Sequence, residues 1–435
     1  MLTADSLPSF GSAWLPAALL AALSLCFRWR SGSWLAPSAF LGLIWSSYLP
    51  ASMLAMDRPL AALGIWALLA LIVSAQLGCV LGEGTAAEPA PGDPPAAFAD
   101  HQHRRLGRAC WLLLLVALAG CASFVYLTLH LFGQPLNVAS LIEMAARWTF
   151  LRYDEFIDPW PLRLAAIWAY PPALLGGIWF AMSEHGWEKF LGLLSLLPCL
   201  LITFLSGGRI AFLIGLACWL GGSWSVRTAR SGGAVRLLRK RTALSLAALG
   251  CGLLLLFAAV NMFRGAARTD DVRDLALEFN GAQARNYVFG SPAAFASWFT
   301  SAERTPATWG ASSFPGAFDL LHIHQRTLGT YTDQARTVDS ETTNVFTMFR
   351  GLVEDFTLPG ALLLCGLWGY SSGRAYARHS LENGPLLTLA AYYATALFSP
   401  LMCVFGFNST VFAWTVAWTV LRRKNSSAQP TTLYA

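Results

Sequence analysis

Eleven apolar runs recur along this chain, and they restrict its fold more than any motif does. Their limits are 14–27, 34–55, 60–82, 109–132, 161–182, 189–205, 209–224, 242–263, 356–373, 384–402 and 405–421. A helix needs about 20 apolar residues to cross the hydrocarbon core, so several runs borrow flanking residues or tilt. The pair 189–205 and 209–224 also reads as one broken element. Of the 435 residues, 12% are charged, against about 25% in a typical soluble domain. The expectation is an all-α fold, a polytopic transmembrane helix bundle forming a single membrane domain over 1–435.

Orientation is read from Lys and Arg. One set of alternate loops holds Arg28 and Arg30, Arg104, Arg105 and Arg108, Lys189, the cluster Arg227 to Arg241, Arg374 and Arg378, and Arg422 to Lys424. That set carries 17 basic and 7 acidic residues; the other carries 13 basic and 17 acidic. The positive-inside rule places the first set in the cytoplasm, which puts the N-terminus outside and the C-terminus inside. The first apolar run lacks a basic flank before it, so no cleavable signal peptide is expected. All nine cysteines fall in or beside apolar runs. Neither a disulfide framework nor a metal site is expected, and no cofactor.

Segments outside the runs are few. The linker 83–108 is rich in Ala and Pro, and His101 and His103 within it read as solvated. The basic loop 224–241 reads as a topology and lipid-contact signal rather than a nucleic-acid patch. On the other side, two loops are long: 133–160 and 264–355. The stretch LIEMAARWTFLRY in the first has an amphipathic look that suits the membrane interface. The second is expected to be partly helical. A transporter would concentrate polar residues near mid-membrane, often in two related halves. No internal repeat is visible, and the polar residues gather at the outer ends of runs.

The stretch 342–363, TTNVFTMFRGLVEDFTLPGALL, places Arg350, Glu354 and Asp355 at the mouth of an apolar run. Read as a helix, Asn344, Thr347, Arg350, Glu354 and Asp355 share one face. Two readings stay open for them: an internal Arg–carboxylate pair at i, i+4, or the wall of a polar cavity. Other runs end similarly. SGGR places Arg209 at the outer boundary, and NMFRGAAR places Arg264 and Arg268 one helical turn apart. Each arginine alone is explained by snorkelling. Together, Arg209, Arg264, Arg268 and Arg350 suggest a site for an anionic lipid head group.

These stretches resemble the Wzy-type O-antigen polymerases, also called oligosaccharide repeat-unit polymerases. NVFTMFRGLVEDFTLPG, 344–360, is similar to the family pattern of Asn-Val-aromatic-Thr, Phe-Arg, Glu-Asp-Phe-Gly and Gly; Thr357 stands where the family usually has Gly. SGGR, RNYVFGSPAAF (with Arg285, Tyr287 and Gly290) and TWGASSF follow more loosely, in the family's order. The N-terminal 200 residues match only in hydropathy.

The resemblance implies a bacterial inner-membrane glycosyltransferase. It would join undecaprenyl-diphosphate-linked oligosaccharide repeat units, as both donor and acceptor, on the periplasmic side without metal or nucleotide sugar. It leaves room for a chain-length regulator protein as partner, beside membrane lipid and without nucleic acid. The diphosphate leaving group gains negative charge as its glycosidic bond breaks, and guanidinium groups bind such an anion bidentately. One at about 4 Å contributes on the order of 4 kcal/mol before desolvation, at an effective dielectric near 20.

Candidates for acid–base work are His322, His324, Glu341, Glu354 and Asp355, with the carboxylates of 341–355 preferred. His322 and His324 would point the same way from a strand. Asn344, Thr347, Arg285 and Tyr287 are candidates for positioning substrate. Trp298, Phe299, Trp309, Phe314 and Tyr331 could stack on sugar rings or pack the loop onto the bundle. A ligase-like enzyme transferring glycan to another acceptor, and a flippase for lipid-linked oligosaccharide, share the same composition.

Overall fold

The structure, a computed structural model, describes residues 11–56, 60–86, 100–137, 140–141, 143–144, 160–206, 208, 210–232, 252, 285–301, 307–323, 331, 335–338 and 341–422. The fold is a helical bundle. Its helices in chain order are α1 (Gly11–Ser31), α2 (Pro37–Ala55), α3 (Ala62–Thr85), α4 (Asp100–Leu131), α5 (Trp160–Met182), α6 (Gly186–Leu194), α7 (Leu197–Ser206) and α8 (Ile210–Arg230). After these come α9 (Ser291–Ser301), α10 (Pro315–Leu320), α11 (Met348–Ala377), α12 (Asn383–Phe398) and α13 (Asn408–Leu421). A short antiparallel hairpin, β1 (Ala335–Val338) and β2 (Glu341–Thr343), precedes α11. Among the described residues, seven helical segments are long and apolar enough to cross a membrane, consistent with a multi-pass membrane protein.

The apolar runs and the helices coincide, with three differences. The helix α4 begins at Asp100, so 100–108 is helix and not linker, and His103 there meets Glu188 at 3.2 Å instead of standing solvated. The run 189–205 is two helices, α6 and α7, interrupted at Ser195 and Leu196. It is separate from α8, so the single broken element over both runs is not what forms. The run 242–263 lies outside the described residues apart from Gly252.

The two largest cores share two helices. Residues of α4, α5, α7 and α13 bury one cluster, including Phe124, Leu174 and Ile178. Residues of α1, α2, α3 and α11 bury another around Phe40, Trp45 and Phe349, and α8 and α12 contribute to both. In lipid, helices associate through close packing and hydrogen bonds rather than through exclusion of water. The contact between α3 and α11 shows the first. Gly78 and Gly82 of α3 face Gly366, Tyr370 and Arg374 of α11, and a methyl group at either glycine would run into a main-chain carbonyl. Gly369 and Gly373 lie equally close to Ala75 and Cys79. Hydrogen bonds tie α12 to its neighbours: Tyr392 donates to the Pro37 carbonyl at 2.6 Å and Tyr393 to that of Leu35 at 2.5 Å.

The helix ends sort into two levels. At one, Arg105 donates to the carbonyls of Thr419 and Arg422, Arg230 donates to that of Ala181, and His103 meets Glu188. At the other, Trp45 donates to Ser399 Oγ at 2.8 Å, Met348 N donates to the Ser399 carbonyl at 3.0 Å, and Ser52 donates to the Phe289 carbonyl at 2.6 Å. The described residues of the arginine-rich loops thus share one end of the bundle. The 285–301, 307–323 and 341–356 segments share the opposite end.

Candidate functional site

A break in α11 organises this second end. Thr357 has φ 59° and ψ 172°, a backbone region that a β-branched residue occupies only under strain. Two residues later Pro359 brings no N–H, so the Asp355 carbonyl lacks its helical donor. The 307–314 loop supplies one instead. Trp309 N donates to the Asp355 carbonyl and Thr308 N to that of Glu354, each at 3.2 Å.

The Asp355 carboxylate grips the same loop. Ser312 N and Thr308 Oγ1 donate to Oδ1 at 2.9 and 2.5 Å, and Ser313 N donates to Oδ2 at 2.6 Å. Asp355 has no exposed surface. Donors on both oxygens and complete burial make it an anchor for the loop. It is not the open carboxylate that an acceptor hydroxyl needs.

Arg350 lies one turn earlier and is 3% exposed. Its Nε donates to Glu354 Oε1 at 2.7 Å. Its guanidinium carbon lies 3.9 Å from the centre of the Tyr331 ring, 4.0 Å from Phe346 and 5.0 Å from Trp298. Such a desolvated cation among aromatic faces gains about 2 kcal/mol or more. Of the two readings left open by the sequence, the described geometry has the internal pair, reinforced by an aromatic box. Trp298 and Tyr331 serve that box instead of standing free for sugars, whereas Trp309 and Phe314 are exposed. Burial pushes the Tyr331 hydroxyl well above the usual phenol range, so it stays a neutral donor. Glu354 keeps 15% of its side chain exposed and is the more accessible carboxylate of the pair.

The helix starts later than the residue pattern suggests. Asn344 to Thr347 precede α11, and Thr347 is its extended N-cap residue. The shared face therefore does not include Asn344, which is exposed. Thr347 Oγ1 and Ser313 Oγ are both buried and without a hydrogen-bond partner among the described residues. Both line a cavity of about 20 Å³ together with Tyr331, Met348, Gly351 and Cys403. That volume admits about one water molecule or a single polar group of a ligand.

The remaining candidates divide. Arg285 and Tyr287 lie in a half-buried helical turn, 285–289, leading into α9. The Tyr48 hydroxyl donates to the Val288 carbonyl and lies 3.1 Å from Ser291 Oγ, while Ser291 donates to the Pro400 carbonyl. Glu341 opens β2. His322 sits in a turn with φ 55° and is exposed, so the expected strand does not form there. Arg209, Arg264, Arg268 and His324 lie outside the described residues, and with them three members of the expected arginine cluster.

Sequence reading passed over Thr308, Ser312 and Ser313 as ligands of Asp355. The only available signal was the small, polar composition of TWGASSF. Among the described residues, no three His, Cys, Asp or Glu side chains gather closely enough to share a metal ion. Set against known family models, curated proteins and solved structures, the chain matches none.

Proposed function

We propose that this chain is a glycosyltransferase of the bacterial inner membrane that polymerises undecaprenyl-diphosphate-linked oligosaccharide repeat units. The observation that carries the reading is the meeting of three separated stretches at one end of the bundle. The 285–301 segment brings Trp298 to Arg350, and the 308–314 segment binds Asp355. The 344–360 segment supplies both residues. These are the stretches, or their immediate continuation, that carry the resemblance to the polymerase family. A merely apolar scaffold has no need to assemble them.

In the proposed reaction the acceptor sugar hydroxyl attacks the anomeric carbon of the donor glycan. The bond from that carbon to the diphosphate oxygen breaks, and undecaprenyl diphosphate leaves with the bonding pair. Glu354 takes the hydroxyl proton, held in place by Arg350, which acts as a positioning residue. Arg209, Arg264 and Arg268 bind the diphosphate as its charge develops. The arginine-rich end is cytoplasmic and the Arg350 end periplasmic, by the excess of basic residues in the first set of loops. If the eighth apolar run, 242–263, is a further crossing, the chain passes from Arg230 at one end to the 285–301 segment at the other.

Purified protein given a lipid-linked repeat unit tests the proposal. The expected result is a ladder of products growing by one unit at a time. Transfer only to a lipid A core would replace this reading with a ligase, and translocation without a new glycosidic bond would replace it with a flippase.

A further inference from the structure

The opposite, arginine-rich end holds a second site. A cavity of about 540 Å³ opens between α4, α5 and α6, lined by His103, Arg104, Arg108, Trp111, Trp179 and Glu188 among others. Arg104 and Arg108 stand one helical turn apart and are both exposed, so their side chains leave α4 on one face. The single carboxylate in the lining is already engaged. His103 Nε2 lies 3.2 Å from both oxygens of Glu188, and Trp179 Nε1 is 3.4 Å from the same ring nitrogen. The two guanidinium groups therefore face the opening beside a carboxylate that histidine already holds.

The surroundings specify what kind of anion belongs there. Trp187 is 63% exposed at the rim, and Leu112, also in the lining, is exposed one turn beyond Arg108. Phe190 and Leu193 continue an apolar surface along α6. A soluble anion needs the arginines alone. A phospholipid uses all of it, with phosphodiester oxygens on the arginines, glycerol at the level of the indoles and acyl chains along the leucines. Basic recesses between helices at the cytoplasmic surface have this character.

We infer that the recess between α4, α5 and α6 binds an anionic phospholipid, with Arg104 and Arg108 as its phosphate ligands. This site stands at the other end of the bundle from Arg350 and does not depend on the proposed reaction.

The test is native mass spectrometry of the full chain in detergent, titrated with cardiolipin or with phosphatidylcholine. The wild type should retain cardiolipin at least about tenfold more tightly than phosphatidylcholine. R104Q/R108Q should lose about ten- to thirtyfold in cardiolipin affinity, from about 1 kcal/mol per basic residue near an anionic surface. R374Q/R378Q, which removes the same charge elsewhere on that end, should leave the first bound cardiolipin unchanged, and inorganic phosphate should not compete. Equal retention of the two lipids by the wild type would overturn the inference even if the double variant is not recovered. So would equal losses from both double variants, or displacement by millimolar phosphate.

Discussion

Replacing Asp355 with Asn changes one atom and should detach a loop. The carboxylate accepts Ser312 N and Thr308 Oγ1 on one oxygen and Ser313 N on the other. An amide keeps one acceptor oxygen and turns the other into a donor that faces an N–H. In the better of its two orientations it keeps the Ser312 and Thr308 bonds, loses the charge-assisted bond to Ser313, and leaves opposed donors in a fully buried site. A hydrogen bond to a charged group contributes about 1.5–3 kcal/mol, and a buried unsatisfied donor costs about 1–3 kcal/mol. The expected cost is about 3–5 kcal/mol, a large share of the stability of an ordinary domain. Thr308→Val removes one hydroxyl bond only and should cost about 1 kcal/mol. Thermal unfolding in detergent gives the stabilities, and limited proteolysis reports on the loop. D355N should gain cleavage between 307 and 323 at temperatures where wild type resists, with T308V intermediate. Wild-type protection and wild-type melting in D355N would refute the anchoring role.

Three further outcomes follow from the geometry. Thr357→Gly should stabilise the protein by about 1 kcal/mol, because a residue in this backbone region stores about 1–3 kcal/mol and glycine returns about 0.5–1 kcal/mol of that as chain entropy; a lower melting temperature would contradict the strained break. Arg350→Lys keeps the charge but loses the planar stack on Tyr331 and Phe346, about 2 kcal/mol. If the placement of Glu354 limits the reaction, polymer formation should fall about 30-fold while the protein still reaches the membrane. Gly369→Leu should abolish recovery of folded protein by size-exclusion chromatography, since no side chain fits between α11 and the Ala75 carbonyl; Gly384→Leu, at an open position, should have no effect.

Helices were legible in the sequence because bilayer thickness dictates their length and composition. The hydropathy of 60–82 or 356–373 therefore locates α3 and the second half of α11 without tertiary information. The break at Ser195 was not legible, because its residues are as compatible with a continuous helix as with two. Around Arg350 helical spacing offered the i, i+4 pairing with Glu354 as one of two readings, and did not choose between that pair and a cavity wall. The late start of α11 was not legible, since Asn344 to Thr347 continue the apolar and polar periodicity while lying outside the helix, Thr347 as its extended N-cap residue. The aromatic box and the Asp355 anchor were hidden for a simpler reason. Trp298 is about 50 residues and Ser312 about 40 residues upstream of their partners, and no local pattern records a contact across such a separation. Thr357 was visible as an unusual residue for its place, and its positive φ gives that oddity a physical content.

The central claim is that the lipid-linked donor binds at the Arg350 end of the bundle. A photoreactive polyprenyl-diphosphate oligosaccharide, cross-linked to the purified chain and located by peptide mass spectrometry, tests it most directly. Label within 285–301, 307–323 or 341–356, competed by unlabelled donor, is the predicted result. Competable label confined to the arginine-rich end, around 100–112 and 186–191, would contradict it.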